Sequence, residues 1–305
     1  VITRFAPSPT GPLHLGHAYA AMVAHDMARA AGGRFLLRIE DIDRQRSRPE
    51  WEAAIFDDLT WLGLTWDGEP LRQSDRLPVY AAALDALWGR GLLYPCTCTR
   101  RDIAEALSAP QEGESRGPVA DGPDGPVYPG TCRGQDRAGM AWATRALNPR
   151  PADMTLRLDM GVAVMHGDEP VQHPGEEDRG LGFTETGPAH AGTIFTTRDD
   201  YTRGIGDIVL ARRDFGTSYH LSVVLDDAAQ GVTLVTRGED LFEATRIHRL
   251  LQRLLNLPTP VYHHHRLIRD DAGKRLAKRD DARSIASYRA AGASPQDIRR
   301  MVGLG

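Results

Sequence analysis

Residues 4–17 read RFAPSPTGPLHLGH. Ile2 to Phe5 predict a short strand, Pro7, Pro9 and Pro12 stiffen the turn that follows, and Leu15, Tyr19, Met22 and Val23 recur at helical spacing behind it. A strand that turns tightly into a helix start is suited to hold a nucleotide. The first backbone N–H groups of a helix attract phosphate, and Gly11 and Gly16 let a ligand approach the main chain. His14 and His17 flank Gly16, which leaves two readings of the segment: a phosphate site, or a pair of surface histidines at a helix cap.

Working outward, the chain alternates strand and helix. Arg34 to Ile39 read as a strand after Gly32-Gly33. Pro49 opens a helix with Trp51, Ile55, Leu59 and Leu62 on one side, stopped by Gly63. A third helix runs from about Leu77 to Arg90, with Leu77, Tyr80, Leu84, Leu87 and Trp88 inward and Gly91 at its end. This order favours an α/β fold with a parallel, Rossmann-like sheet and crossover helices. The pattern breaks at Cys96: residues 108–130 and 166–192 are rich in Pro, Gly and acids and read as exposed loop. Strand-like runs return at Ile208 to Ala211, Leu221 to Leu225 and Val232 to Thr236. The division expected is a catalytic domain of residues 1–95 and 196–255, split by an insertion over 96–195 and followed by a signature loop and small helical, RNA-contacting unit over 256–305.

The 305 residues carry a net charge of −4, unevenly spread. Residues 246–300 hold 13 Lys and Arg against 5 Asp and Glu, which suits phosphates or simply a solvated basic surface. Of 37 basic residues only Lys274 and Lys278 are lysines, both within one short segment, where a flexible point charge differs from a planar fork. No apolar run spans a bilayer and no charged-then-apolar leader opens the chain, so the expectation is a cytoplasmic protein with no membrane partner. Three cysteines, Cys96, Cys98 and Cys132, do not make a secreted disulfide framework; they are metal ligands or reduced thiols. The internal run His263-His264-His265 reads as strand or surface.

His14-Leu15-Gly16-His17 resembles the His-Ile-Gly-His signature of class I aminoacyl-tRNA synthetases, and the whole run from Arg4 resembles the opening of glutamyl-tRNA synthetases. Gly273 to Arg279 (GKRLAKR) resembles the second signature of that class, Lys-Met-Ser-Lys-Arg, with Arg275 at the usual first lysine, Ala277 in place of serine and Lys278 matched. The resemblance implies catalytic roles for His14, His17 and Lys278, and an ATP site that also includes Gly16 and Asp240. It implies a glutamate pocket formed by Arg4, Ala6, Ser8, Glu40, Tyr219 and Arg237. Chemistry agrees: a pocket for two carboxylates and one ammonium needs guanidinium forks and at least one acid, Glu40 or Asp41 here. Val223 stands where the tRNA-charging enzymes often have asparagine.

Cys-x-Cys followed by Tyr-x-x-x-Cys resembles the zinc site of a short paralogue of the glutamyl-tRNA synthetases. That resemblance implies one structural zinc ion on Cys96, Cys98, Tyr128 and Cys132. With 27 residues after Lys278, the expectation is a member without a further anticodon-binding domain. The function implied is activation of L-glutamate with ATP and Mg²⁺, then transfer to the queuosine base of tRNA(Asp), by a monomer. Alternatives are a truncated tRNA-charging enzyme, a nucleotidyltransferase sharing the histidine signature, and a non-catalytic tRNA-binding module.

Overall fold

The computed structural model describes residues 1–108, 121–134, 148–166, 180–269 and 283–305. Ile2–Phe5 pairs in parallel with Arg34–Ile39, which pairs in parallel with Leu71–Arg72. Leu234–Gly238 pairs in parallel with Val261–His265, and Tyr262 is matched with Glu185 of the Leu181–Glu185 strand. These two sheets meet where Thr233 N–H donates to the Ile2 carbonyl at 3.0 Å. The strands carrying Arg4 and Arg237 therefore lie side by side, and Arg4 Nη1 donates to the Thr236 carbonyl at 3.0 Å. Ligands of open α/β sheets bind at the carboxyl ends of such strands.

The first helix, Leu15–Ala30, buries Ala18, Met22 and Ala28 against the sheet, together with Phe35, Leu37 and Ile39 of the neighbouring strand. Burying a side chain such as Met22 stabilises the fold by roughly 1.5–3 kcal/mol. The helices Pro49–Trp61 and Leu77–Gly89 follow the expected apolar faces. They end before Gly63 and Gly91, whose φ values of +74° and +70° suit glycine.

The structure corrects one strand. Leu221–Leu225 lies inside the helix Tyr219–Ala229, which starts at Ser218, the residue whose side chain accepts from Leu221 N–H. Its valines mimic a strand, yet Leu221, Val223 and Val224 are buried because the whole helix sits in the core. A second difference concerns the loop read over 166–192. Leu181–Glu185 is a strand of the sheet that carries Arg237, paired antiparallel with Gly192–Thr196. Farther out, Leu93–Cys96, Thr155–Leu158 and Val209–Ala211 form an antiparallel three-stranded sheet. Among the described residues no helix is long and apolar enough to cross a membrane.

Candidate active site

His14 is the N-cap of the first helix. Its Nδ1 accepts from Gly16 N–H at 3.1 Å, while His17 Nδ1 accepts from His14 N–H at 3.1 Å. The pair forms a capping box written in histidine. With both Nδ1 atoms accepting, a neutral ring at either position carries its proton on Nε2, a donor of the kind that phosphate oxygens accept from. The two rings lie 3.8 Å apart, centroid to centroid. A Cβ at Gly16 would meet His14 Cε1 at 3.0 Å, so any larger residue here would press on the capping imidazole. The sequence reading had the two histidines at the right place but not their mutual capping.

A cavity of about 610 Å³ opens at the carboxyl ends of the Ile2–Phe5 and Leu234–Gly238 strands. Its wall brings together Arg4, Ala6, Ser8, His14, Gly16, His17, Glu40, Tyr219, Arg237 and Asp240. Of the candidate ATP and glutamate residues, only Lys278 is missing; with Lys274, Arg275 and Ala277 it lies outside the described residues. Asp41 does not face this cavity: its Oδ1 accepts from Ser74 N–H at 2.8 Å. Of the two candidate acids, Glu40 lines the cavity. Val223 packs in the main apolar core.

Arg4 is held directly by a carboxylate, donating Nε–H to Asp227 at 2.8 Å. Arg38, fully buried, donates to the same Asp227 oxygen at 2.8 Å and to Gln230 at 3.0 Å, and its Nε lies 3.7 Å from Glu40. Burial pushes the Glu40 carboxyl up to about 7, against the pull of Arg38 and Arg4. Burial also opposes ionisation of Asp227, but the two guanidinium groups hold it below the usual carboxylate range. The adjacent Asp226 receives Gln73, Arg76 and Tyr80, so the Asp226-Asp227 pair ties the helix to the Ile2–Phe5 and Arg34–Ile39 strands on one side and to the segment 73–89 on the other. Sequence reasoning passed over Arg38 and both aspartates. The available signal was two acids inside an otherwise apolar helical run.

Arg237 is buried in a different way. Its Nε–H donates to His264 Nε2 at 3.1 Å, its Nη1 to His248 Nδ1 at 2.9 Å and its Nη2 to Thr245 Oγ1 at 2.5 Å. The sheet register matches Arg237 with His264, which sets the first of these contacts. Two buried atoms in the cavity wall, Thr236 Oγ1 and His265 Nε2, have no hydrogen-bond partner among the described residues. The histidine run is a strand, as expected, but His264 and His265 are buried rather than on the surface.

The cysteines converge. Cys96, Cys98 and Cys132 bring their sulfurs within 4.8 Å of one another. Tyr128 Oη lies 3.3 Å from Cys98 Sγ and 3.5 Å from Cys96 Sγ. Four ligands about 2.1–2.3 Å from one tetrahedral ion stand roughly 3.4–3.8 Å from each other, so the cluster has the size of a metal site. Arg157 lies over the Tyr128 ring at 3.8 Å and donates Nε–H to Cys96 Sγ at 3.3 Å, placing positive charge beside the cysteine sulfurs.

A family model described as tRNA synthetases class I (E and Q), catalytic domain, matches residues 1–123 and 191–304. A Rhodobacter capsulatus protein named glutamyl-Q tRNA(Asp) synthetase is 64% identical over the whole of both chains. One of the same name from Geobacter sulfurreducens is 40% identical, over 95% of this chain and 79% of the relative. A crystal structure of glutamate-tRNA synthetase from Elizabethkingia anophelis superposes with a TM-score of 0.73 at 26% identity, covering all of this chain, which spans 61% of that one. Signature, sheet and relatives agree, and the chain belongs to the class I tRNA synthetases of the glutamate and glutamine group.

Proposed function

We propose that this protein activates glutamate with ATP and transfers it to the queuosine base of tRNA(Asp). The observation that carries the proposal is one cavity whose wall includes both His14, Gly16 and His17 and Arg4, Glu40, Tyr219 and Arg237. In this reading a carboxylate of glutamate meets Arg237 and Arg4, and its ammonium meets Glu40. The α-carboxylate oxygen attacks the α-phosphorus of ATP in line, forming the glutamyl adenylate as pyrophosphate leaves. His14 and His17 donate from Nε2 to the phosphates, Lys278 closes on them, and Asp240 completes the ATP wall. Their task is positioning and charge stabilisation. Mg²⁺ accompanies ATP as part of the substrate. Ala6 and Ser8, at the turn after the first strand, shape the amino-acid side.

The test is glutamate-dependent ATP–pyrophosphate exchange by the full chain. We expect exchange with glutamate alone, since this cavity gathers candidate groups for both the amino acid and the ATP phosphates. A strict requirement for tRNA would count against the reading. The same assay carries a pH signature. Glu40 is raised to about 7 in the fold, so it is neutral well below that pH and its carboxylate dominates above it. An incoming ammonium favours the carboxylate and displaces the proton, so the KM for glutamate should fall as pH rises through about 7. A KM flat from pH 6 to 8 would remove Glu40 from the ammonium site.

Cys96, Cys98, Cys132 and Tyr128 are proposed to hold one structural zinc ion, which would tie the end of the Leu93–Cys96 strand to the segment carrying Tyr128 and Cys132. Elemental analysis of protein never exposed to chelator should find about one zinc per chain, and Cys98→Ser should lower that figure and the melting temperature together. Zinc-free protein with an unchanged melting temperature would reduce the cluster to ordinary thiols. The division into catalytic, inserted and terminal parts is also proposed, with residues 181–196 now counted with the catalytic sheet.

A further inference from the structure

Arg4 and Arg237 share one cavity wall but are held by opposite means. Arg4 touches a carboxylate, Asp227. Arg237 touches two imidazoles and a hydroxyl, and among the described residues no carboxylate is in ion-pair contact with it. The negative groups stand one or two rings behind. His264 passes from Arg237 to Glu185, whose Oε2 lies 2.5 Å from His264 Nδ1 and whose Oε1 accepts His264 N–H at 2.9 Å. His248 passes to His220, with 3.0 Å between His248 Nε2 and His220 Nδ1, and His220 Nε2 reaches Asp124 Oδ1 at 2.9 Å.

Arginine cannot accept, so it dictates every tautomer along both arms. His264 Nε2 accepts from Arg237, so its proton is on Nδ1 and goes to Glu185. His248 Nδ1 accepts from Arg237, so its Nε2–H donates to His220 Nδ1, and His220 Nε2–H donates to Asp124. A protonated ring at 248 or 264 would turn an N–H against the guanidinium. Burial and the neighbouring positive charge keep both neutral: His264 is lowered to about 4, and His248 lies well below the usual imidazole range. Three of the five guanidinium N–H groups are used in these contacts, which leaves one on each terminal nitrogen. Two donors on neighbouring nitrogens are of the number a carboxylate can accept from.

We propose that His248 and His264 are positioning residues, neutral acceptors that orient the Arg237 fork without neutralising it, so that its charge is kept for a carboxylate of the amino-acid substrate. The proposal rests on reading the cavity as a glutamate site. A carboxylate at either position would orient Arg237 equally well and compete with the ligand for its charge. The imidazole separates the two effects, order in contact and charge balance at a distance, and desolvated charge is worth most when its partner is the ligand.

The test uses the full chain in glutamate-dependent exchange, with melting temperature as the folding control. His248→Gln supplies an acceptor oxygen for Arg237 and an N–H for His220, and should leave the KM for glutamate within about threefold. His248→Leu leaves a buried donor unpaired and should raise that KM by about tenfold or more, with the KM for ATP unchanged. His248→Glu decides between explanations. It should raise the KM for glutamate by about thirtyfold while the melting temperature is kept or increased, because it orders Arg237 and quenches it. A purely structural role predicts the reverse: the glutamate variant rescues and the leucine variant loses both substrates equally. His248→Glu with the ordinary KM overturns the proposal, and it does so even if the leucine variant does not fold. Arg237→Ala separates the two levels. If that variant keeps the ordinary KM for glutamate, the reading of the cavity fails; if its KM rises and that of His248→Glu does not, only the positioning role fails.

Discussion

Replacing Arg237 with alanine is expected to raise the KM for glutamate by about a hundredfold to a few thousandfold while the KM for ATP moves little. The size follows from the site. Arg237 is buried, and removing one partner of a buried charge pair costs about 3–5 kcal/mol because the other charge is left unpaired. Here the group left unpaired would be the carboxylate of the substrate. Arg4 lines the same cavity, but its Nε already serves Asp227 and one Nη1 proton serves Thr236, so it offers less charge to a ligand. Arg4→Ala would also strip Asp227 of a partner and lower stability, whereas the acceptors around Arg237 are neutral. The measurement is ATP–pyrophosphate exchange at saturating ATP with glutamate varied. An unchanged KM for glutamate would remove Arg237 from recognition and leave the charge of the cavity without a role.

The contrast between the two arginines marks where the sequence could be read and where it could not. Strand, turn and helix over the first 30 residues were legible because prolines, glycines and apolar spacing are local signals, and the cavity wall was legible because its residues fall in short matched runs. What surrounds Arg237 was not. His220, His248, His264 and Glu185 are spread over four elements and meet only through strand register and helix packing, which no local pattern encodes. The run 263–265 drew notice for its composition, while what the structure adds is the alternation that turns His264 toward Arg237. Charge counts left a choice over 246–300 between a face for phosphates and a solvated basic surface, and they could not show the neighbours: Arg246 pairs with Glu243, Arg289 with Asp57, Arg299 with Asp26 and Arg300 with Asp297. Arg249 is buried against the Gly182 carbonyl. Net charge is read from composition, but availability depends on who sits beside each group.

The acceptor gives the largest contrast of all. Labelled glutamate should pass to tRNA(Asp) containing queuosine and to no detectable extent to the same tRNA without it, since the nucleophile is a hydroxyl that only the modified base carries. That oxygen attacks the adenylate carbonyl, forms an ester as the bond to the phosphate breaks, and releases AMP and the hydroxyl proton. Loop nucleotides can be splayed out and read by stacking and hydrogen bonds, whereas a paired base cannot be reached in this way. A queuosine-bearing anticodon stem-loop, which has no terminal adenosine, should therefore still accept glutamate. Cations that grip RNA phosphates release condensed counterions, so transfer should weaken as salt rises from 50 to 200 mM. If glutamate appears instead on the terminal adenosine of tRNA(Glu), and the stem-loop stays unlabelled, the protein is a charging enzyme with the same activation site and a different acceptor.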